Sequence, residues 1–429
     1  MAIELTKAAL HSGAYRAAMA KIYATEAEID RQTARYISIA EDFAAIYGER
    51  DNLRFFSAPG RTEIGGNHTD HNHGKVLAAS INLDAVAAAA QNEENIIRVK
   101  SRGYSKIDVI DLATLTPVPA ETGHSAALIR GVAARLKALG YKIGGFDAAT
   151  ASEVLSGSGL SSSAAFEVLI GTVLNYMYND GKISPVVIAQ VAQYAENVFF
   201  GKPCGLMDQM ACSVGSFVEI DFADPDNPVI NPVSFDFAAC GHSLCIVDTR
   251  ASHADLTDDY AAIRAEMEAV AGCFGKKCLR EVDPETVYGN IGAIRKKVGE
   301  RAVLRAMHFY AENARVDCEA NALQAGDFDA FKNYVIESGF SSYMYNQNVF
   351  APKQPKSQPV ALALAISESL LADKGAWRVH GGGFAGTIQA FVPNDAVAEY
   401  KAALEAVFGE GACYILQIRP IGGFEVKRN

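Results

Sequence analysis

The spacing of hydrophobic and polar residues along the first half of the chain predicts both helices and strands. Apolar residues recur at helical intervals in residues 3–50, which predicts a helical N-terminal arm. Residues 53–58 and several runs within residues 76–110 have strand character, and the polar, glycine-rich residues 61–75 predict a loop between them. An amphipathic helix is predicted over residues 125–139. These patterns favour an antiparallel sheet accompanied by helices.

The second half of the chain follows a proline-rich stretch, residues 222–232, which predicts a boundary between two domains, residues 1–221 and 222–429. Beyond it, a buried strand is predicted over residues 243–249, and long helical patterns follow. These helical patterns cover residues 254–272, 294–326, 328–338 and 359–372. Both halves therefore predict α+β domains.

Composition and charge restrict the classes of partner. The chain has 429 residues, 49% of them hydrophobic, and a formal net charge of -11, which argues against nucleic-acid or anionic-membrane partners. No apolar run is long enough for a membrane span, no secretory signal pattern opens the sequence, and no obligate protein partner is predicted. The eight cysteines lack C-x-x-C spacing, so we expect reduced thiols in a cytoplasmic protein.

A glycine- and serine-rich loop, Ser156 to Ala165, precedes an apolar helical run and is suited to binding phosphate. Its glycines allow the backbone to approach a ligand closely, and the N-terminus of the following helix favours an anion. The loop lacks the lysine of G-x-x-x-x-G-K-[ST], and Ser162 replaces the third glycine of G-x-G-x-x-G. From the loop alone, a turn that only caps the helix is an equal alternative.

The polar residues 60–74 offer many hydrogen-bonding side chains between glycines, a pattern suited to a polyol such as a sugar. Two alternatives stay open at this point. His68, Asp70, His71 and His73 could form a metal cluster, although they lack the spacing of familiar zinc sites. The stretch could also be an ordinary solvated loop.

Two carboxylates, Glu196 and Asp208, flank the glycine-containing break at residues 201–205. A phosphoryl transferase needs one carboxylate for Mg²⁺ and often a second to accept a proton from the nucleophile. The alternative is that these acidic residues only complement helix dipoles.

The sequence His380-Gly381-Gly382-Gly383 is similar to the oxyanion loop of lipases and esterases. That reaction class also requires G-x-S-x-G, which the chain lacks, so a hydrolase is not expected. The glycines instead predict a second close approach of backbone, to phosphates or to a facing loop.

Taken in order, these stretches resemble the motifs of the GHMP kinases, and within that superfamily those of the galactokinases. Residues 157–165 resemble the second GHMP motif and residues 380–386 the third. The galactokinase signature is matched by Gly60-Arg61, His68-Thr69-Asp70 and Asn72, and its catalytic segment by Ala195-Glu196 together with Pro203-Cys204-Gly205-Leu206-Met207-Asp208-Gln209. The resemblance covers most of the chain. It implies a two-domain fold, with an N-terminal mixed-sheet domain, a C-terminal sheet-and-helix sandwich and the active site between them.

The resemblance also implies a role for each matching residue. Asp208 is expected to be the catalytic base, with Arg61 beside it to keep it ionised and to stabilise charge. Ser163 and Glu196 are expected to hold Mg²⁺. The phosphates of ATP are expected to contact Gly157, Ser158, Gly159, Leu160, Ser161, Ser162 and Ser163, and the sugar to contact Asn67, His68, Asp70, Gly205 and Tyr260.

The sequence departs from the galactokinase pattern at two positions. Asn67 stands where the family usually has a glutamate, which faces the C6 end of the sugar, and Glu63 stands where an asparagine is usual. The expected activity is ATP-dependent formation of α-D-galactose 1-phosphate. Because an amide does not repel an anion, Asn67 leaves open a sibling sugar-1-kinase acting on galacturonate or an N-acetylhexosamine. A non-catalytic sensor of galactose and ATP is a further alternative.

Overall fold

The computed structural model of the chain describes residues 2–23, 25–154, 160–202, 204–225, 227–251 and 256–428. The helices, in chain order, are α1 (Ala2–His11), α2 (Arg16–Met19), α3 (Glu26–Tyr47), α4 (Ser125–Ala138), α5 (Ser162–Tyr178), α6 (Pro185–Tyr194), α7 (Met207–Val214), α8 (Thr257–Gly272), α9 (Pro284–Gly289), α10 (Ile291–Val298), α11 (Glu300–Gln324), α12 (Phe328–Ser341), α13 (Pro359–Leu371) and α14 (Val397–Phe408). The strands are β1 (Arg54–Gly65), β2 (Lys75–Gln91), β3 (Ile96–Ser101), β4 (Asp108–Asp111), β5 (Phe146–Ser152), β6 (Phe217–Asp221), β7 (Val229–Val233), β8 (His242–Asp248), β9 (Ala376–His380), β10 (Thr387–Pro393), β11 (Cys413–Leu416) and β12 (Phe424–Val426).

The chain forms two compact units that are not two consecutive halves. Unit 1 comprises Met1–Thr62, Ala79–Ser216 and Arg419–Asn429, and unit 2 comprises Glu63–Ala78 and Phe217–Ile418. This division differs from a single boundary after residue 221, because β1 and β2 each continue from one unit into the other. A linear composition pattern cannot show such an exchange of segments.

Unit 1 is built on a mixed sheet with the order β12-β1-β2-β5-β3-β4. The pairs β12–β1, β2–β5 and β3–β4 are antiparallel, whereas β3 and β5 are parallel. Helix α3 packs on this sheet through Tyr36 and Phe43, which are buried with Phe55, Val86 and Ala149. The predicted helical arm in residues 3–50 is confirmed, since α1, α2 and α3 occupy most of it.

Two element boundaries differ from the sequence prediction. Strand β1 does not end before Pro59 but continues to Gly65, and it is buried along nearly its whole length. Proline has a φ angle compatible with extended structure, and burial of the flanking residues favours the strand. The long helix predicted over residues 294–326 is broken at Gly299, whose φ of 88° lies in the left-handed region and separates α10 from α11.

A buried ion-pair network stabilises unit 1. Asp84 on β2 is fully buried and lies 2.5 Å from Arg35 Nη1 and 3.2 Å from Arg419 Nη1. It also accepts hydrogen bonds from Tyr23 Oη, at 2.7 Å, and from Ser57 Oγ. Burial alone would raise the pKa of Asp84, but the charges of Arg35 and Arg419 lower it below the ordinary value. The network joins the N-terminal helices to the last segment of the chain.

Unit 2 contains a sheet with the order β11-β8-β10-β9, whose paired strands are antiparallel. Helices α13 and α14 pack on it through Val360 and Leu404, which are buried with Ile388. In the β9–β10 pair, His380 at the end of β9 lies opposite Thr387 at the start of β10, so residues 381–386 form the connection between the two strands. The α+β class expected from the sequence is confirmed. In the ranges that the structure describes, no helix is long and apolar enough to cross a membrane.

Candidate active site

Asp208 lies in the first turn of α7 and accepts hydrogen bonds from two side chains. Arg61 on β1 donates from Nε to Asp208 Oδ1 at 2.9 Å, and Ser161 donates from Oγ to Asp208 Oδ2. The Asp208 side chain is 34% exposed, whereas that of Arg61 is 10% exposed. The structure therefore brings Arg61 and Asp208 together, as the sequence predicted, and leaves the carboxylate accessible to a ligand.

The surroundings of Asp208 favour its ionised form. Burial tends to raise the pKa of Asp208, but the charge of Arg61 and the hydrogen bonds from Arg61 and Ser161 outweigh it and lower the pKa below its ordinary value. A carboxylate that accepts a proton during a reaction must begin unprotonated. At neutral pH, Asp208 meets this requirement.

The start of α5 is attached directly to β1. Arg61 N donates to Leu160 O at 3.2 Å, and Ser161 adopts a left-handed conformation with φ of 57° immediately before the helix. Leu160 is fully buried, and Ser162 opens the helix. The other predicted phosphate contacts, Gly157, Ser158 and Gly159, lie outside the described residues. The described part of the loop thus places Ser161 against Asp208, a contact that the sequence did not predict.

Ser163 and Glu196, the predicted metal ligands, are also neighbours. Glu196 lies in a π-helical turn, Ala195–Phe200, and accepts a hydrogen bond from Ser163 Oγ to Oε1 at 3.2 Å. Lys202 Nζ lies 3.1 Å from the same oxygen, and Gln209 Nε2 donates to Oε2 at 2.7 Å. The Glu196 side chain is only 3% exposed. The sequence assigned no role to Lys202 or Gln209, although Gln209 is the last residue of the matched catalytic segment.

A second buried acid, Glu167, lies beside this pair. It follows Ser163 by four residues on α5, so both face the same side of the helix. Glu167 is fully buried, and its Oε2 accepts from Gln209 Nε2 at 3.2 Å. Burial, followed by the charge of Glu196, raises the pKa of Glu167 well above its ordinary value. The amide of Gln209 therefore bridges the carboxyl groups of Glu167 and Glu196.

In unit 2, three predicted sugar-binding side chains each contact a different carbonyl of the triglycine turn, Gly381 to Gly383. The Nδ2 of Asn67 donates to the first carbonyl at 2.8 Å, the Nε2 of His68 lies 3.0 Å from the second, and the Oη of Tyr260 donates to the third at 2.9 Å. Residues 66–74, which connect β1 and β2 and are here called the signature loop, are therefore joined to the triglycine turn through its backbone carbonyls.

The glycines of this turn are required by close packing. A Cβ atom on Gly382 would overlap the ring of Tyr260, and one on Gly383 would overlap the backbone of Asn348. Gly383 also has a φ of 82°, in the region that favours glycine. The close backbone approach predicted from the glycines is thus found, with Tyr260 and Asn348 as the neighbours.

His68 is a neutral imidazole in this arrangement. Burial, with the neighbouring His71 as a second cause, lowers the pKa of His68 to about 4. Because a carbonyl oxygen only accepts, His68 Nε2 must carry the proton that it shares with Gly382 O. Asp70 starts a short turn, Asp70–Asn72, and its side chain is 25% exposed. Gly205, the remaining predicted sugar contact, is an exposed residue before α7.

A metal cluster of His68, Asp70, His71 and His73 was one alternative for the signature loop. Among the residues with a described placement, no three or more His, Cys, Asp or Glu side chains form a group suited to a metal ion. Instead, His68 forms a hydrogen bond with the carbonyl of Gly382 in the triglycine turn. The contacts of this loop favour the interpretation that its side chains act in hydrogen bonding.

Family models match two regions of the chain. The galactokinase galactose-binding signature matches residues 41–91, and the N-terminal domain of GHMP kinases matches residues 127–216. The chain is 31% identical to a galactokinase from Streptomyces coelicolor over 376 residues, which are 86% of this chain and 92% of that relative.

Solved structures resemble the chain over most of its length. A Lactococcus lactis galactokinase complexed with galactose superposes with a TM-score of 0.72 at 25% identity, covering 90% of this chain and 98% of that chain. Two further structures share the fold at lower identity. The Methanococcus jannaschii mevalonate kinase has a TM-score of 0.61 at 14% identity, and the match covers 86% of this chain and 99% of the mevalonate kinase chain. A D-glycero-D-manno-heptose 1-phosphate kinase from Bacteroides thetaiotaomicron has a TM-score of 0.58 at 18% identity, with 87% and 99% covered.

Proposed function

This chain belongs to the galactokinase family of the GHMP kinases, and we propose that it transfers the γ-phosphoryl group of ATP to the anomeric O1 of D-galactose, giving α-D-galactose 1-phosphate. The observation that carries the proposal is the hydrogen-bonded set of Asp208, Arg61 and Ser161. This set joins the galactokinase signature, the phosphate loop and the catalytic segment at one carboxylate.

In the proposed reaction, Asp208 accepts the proton of the O1 hydroxyl as O1 forms a bond to the γ-phosphorus. The bond between that phosphorus and the β,γ-bridging oxygen breaks, and ADP leaves with the electron pair. Arg61 keeps Asp208 ionised and stabilises negative charge at O1. Much of the rate in phosphoryl transfer comes from positioning of the reacting groups. The 2.9 Å contact between Arg61 and Asp208 fixes the position of both side chains, and the roles proposed for them depend on it.

We further propose that Ser163 and Glu196 hold Mg²⁺. The donor set consists of a hydroxyl and a carboxylate, which suits a hard cation. The buried Glu196 already pairs with a cation in this structure, the ammonium of Lys202, which supports an electrostatic preference for positive charge there. When bound, the metal would neutralise the β- and γ-phosphates. Glu196 is oriented for this role by Gln209.

Phosphates and sugar would be bound by the remaining predicted residues. The N-terminus of α5 and the backbone N–H groups of residues 157–162 are the proposed phosphate site. His68, Asp70, Gly205 and Tyr260 are the proposed partners of the sugar hydroxyls. The eight cysteines are free thiols, in keeping with a reducing compartment, and we propose that the enzyme acts in the cytoplasm on small molecules alone.

A panel of sugars tests the proposal. ADP release with ATP and Mg²⁺ would be measured for galactose, galacturonate, N-acetylgalactosamine and glucose, and the product would be identified by phosphorus NMR. We expect galactose to have the highest kcat/KM and the product to be the 1-phosphate. Turnover of galactose at background while another sugar is used well would overturn the assigned substrate. Binding of galactose and ATP without any product would instead indicate a sensor.

A further inference from the structure

Asn67 and Glu63, the two departures from the galactokinase signature, contact each other. Asn67 Nδ2 donates to Glu63 Oε1 at 2.9 Å, and both residues are buried. A carboxylate and an amide four residues apart thus form a hydrogen bond across the end of β1. Either order of the two groups along the chain could form such a bond, since one group accepts and the other donates.

The amide of Asn67 is saturated by protein groups. Its Nδ2 donates to Glu63 and to Gly381 O, while its Oδ1 accepts from Asn348 Nδ2 at 2.8 Å and from Ser342 Oγ at 3.3 Å. An asparagine amide offers two donors and two acceptor positions, and all four are used. Asn67 is 0% exposed, so it has neither surface nor hydrogen-bonding capacity left for a ligand.

The backbone of Asn67 is held equally firmly. Its carbonyl oxygen lies 2.9 Å from Nε2 of the buried His308, and its N–H points to Glu312 Oε1 at 3.4 Å. Rotation of the side chain toward a substrate would break the hydrogen bonds of its amide, each of which is costly to leave unmade in a buried site.

Glu63 carries the charge of the pair. Its Oε1 accepts from Arg378 Nη2 at 2.9 Å as well as from Asn67, and Arg378 is fully buried. The Glu63 side chain is 10% exposed, in contrast to Asn67. If position 67 carried a carboxylate while Glu63 stayed unchanged, the N–H donors to Glu63 and to the Gly381 carbonyl would be lost. The two carboxylates at positions 63 and 67 would also repel each other.

We infer that Asn67 is a positioning residue that holds the Gly381–Gly383 turn through the Gly381 carbonyl, and that Glu63 is its required partner. The inference rests on the proposed sugar kinase activity only for its kinetic consequence. Because both amide donors are occupied, Asn67 gives no affinity for a C6 carboxylate. Compared with the usual family pattern, the carboxylate and the amide have exchanged positions between residues 63 and 67. This exchange therefore keeps a carboxylate–amide pair and does not change the substrate preference toward an acid sugar.

Kinetics with galactose and its 6-deoxy analogue separate positioning from direct contact. We expect Asn67→Ala to lower kcat/KM by the same factor for both sugars, at least about tenfold, the equivalent of one lost buried hydrogen bond. Galacturonate should gain nothing. The matched control is Asn346→Ala, since Asn346 is another buried asparagine of unit 2 whose side-chain atoms have no hydrogen-bond partner among the described residues. A loss confined to galactose, with the 6-deoxy analogue unaffected, would overturn the inference.

Thermal unfolding without sugar or ATP tests the pair independently of activity. We expect Asn67→Asp and Glu63→Gln each to lower Tm, and the double variant Glu63→Gln/Asn67→Asp to lose less than the sum, because it restores a carboxylate and an amide. Strictly additive losses would contradict the pairing. Ser342→Ala is a milder variant if Asn67→Asp does not fold. If wild-type protein does not phosphorylate galactose, the proposed function fails, while the unfolding cycle still reports on Glu63 and Asn67.

Discussion

Arg61 and Asp208 are 147 residues apart in sequence, yet the guanidinium Nε of one lies 2.9 Å from the carboxylate Oδ1 of the other. Strand β1 carries the arginine and helix α7 the aspartate. The contact gives the carboxylate a fixed orientation and a lowered pKa. These two properties are what a proton acceptor for a sugar hydroxyl needs.

Substitution of Asp208 by asparagine should remove the proton acceptor while preserving the shape of the side chain. We expect kcat to fall by about 10²–10⁴-fold, the usual contribution of a general base, with ATP affinity retained. Steady-state kinetics and calorimetric titration with ATP would measure the two effects. Asp329→Asn, at a side chain that is 88% exposed, is the control. Near-normal turnover by Asp208→Asn would show that another group accepts the proton.

Substitution of Arg61 by glutamine should change the pH dependence as well as the rate. Because Arg61 lowers the pKa of Asp208, wild-type kcat/KM should persist as the pH falls until it passes that lowered pKa. Without the arginine charge, the pKa of Asp208 rises and the acid limb should move to higher pH. The pH profile of kcat/KM would test this, with the exposed Arg264→Gln as control. An acid limb at the wild-type position would contradict the assigned pairing.

Substitutions around Glu196 should alter the magnesium dependence in opposite directions. Glu196→Gln should raise the Mg²⁺ concentration needed for half-maximal activity, because a proposed charged ligand is lost. Lys202→Met should lower it, since the ammonium 3.1 Å from Glu196 competes with a cation. Activity would be titrated with Mg²⁺ at fixed ATP. Lys182→Met, at an exposed lysine paired with Asp180, is the matched control. An unchanged Mg²⁺ dependence in both variants would refute the proposed site.

Removal of the Asp84 carboxylate should destabilise unit 1. Asp84→Ala leaves the buried Arg35 and Arg419 without their partner, and breaking a buried ion pair in this way costs about 3–5 kcal/mol. Urea unfolding at neutral pH would measure the loss, with the exposed Asp30→Ala as control.

The same network predicts a pH dependence of stability. The folded-state pKa of Asp84 is lowered, so its stabilisation is present above the unfolded-state pKa and is lost as the pH falls through the folded-state pKa. Wild-type protein should therefore lose more free energy of unfolding on acidification than Asp84→Ala. Equal losses in the two proteins would show that Asp84 is not responsible.

Much of the site could be predicted from the sequence because its chemistry is encoded in short segments. The order of glycines and hydroxyls around the start of α5 predicted a candidate phosphate loop, and the carboxylates on either side of the 201–205 break made Glu196 and Asp208 candidates for phosphoryl transfer. The role of Ser163 at Mg²⁺ came from the family resemblance and stays a prediction. The contact between Arg61 and Asp208 followed from a family resemblance. Glu167 could not be identified, because an acidic residue within an apolar helix shows its role only when Gln209 is found beside it.

The sequence by itself determined the residue types, the local elements and the close backbone turns, since periodicity, glycine placement and helix capping act over a few residues. Only the tertiary structure decided which distant groups meet. In the folded chain β1 continues beyond Pro59, and Arg419 lies beside Asp84. The side-chain amide of Asn67 donates hydrogen bonds to Glu63 and to the Gly381 carbonyl. These choices depend on the simultaneous burial and hydrogen-bond satisfaction of residues hundreds of positions apart, which no local pattern contains.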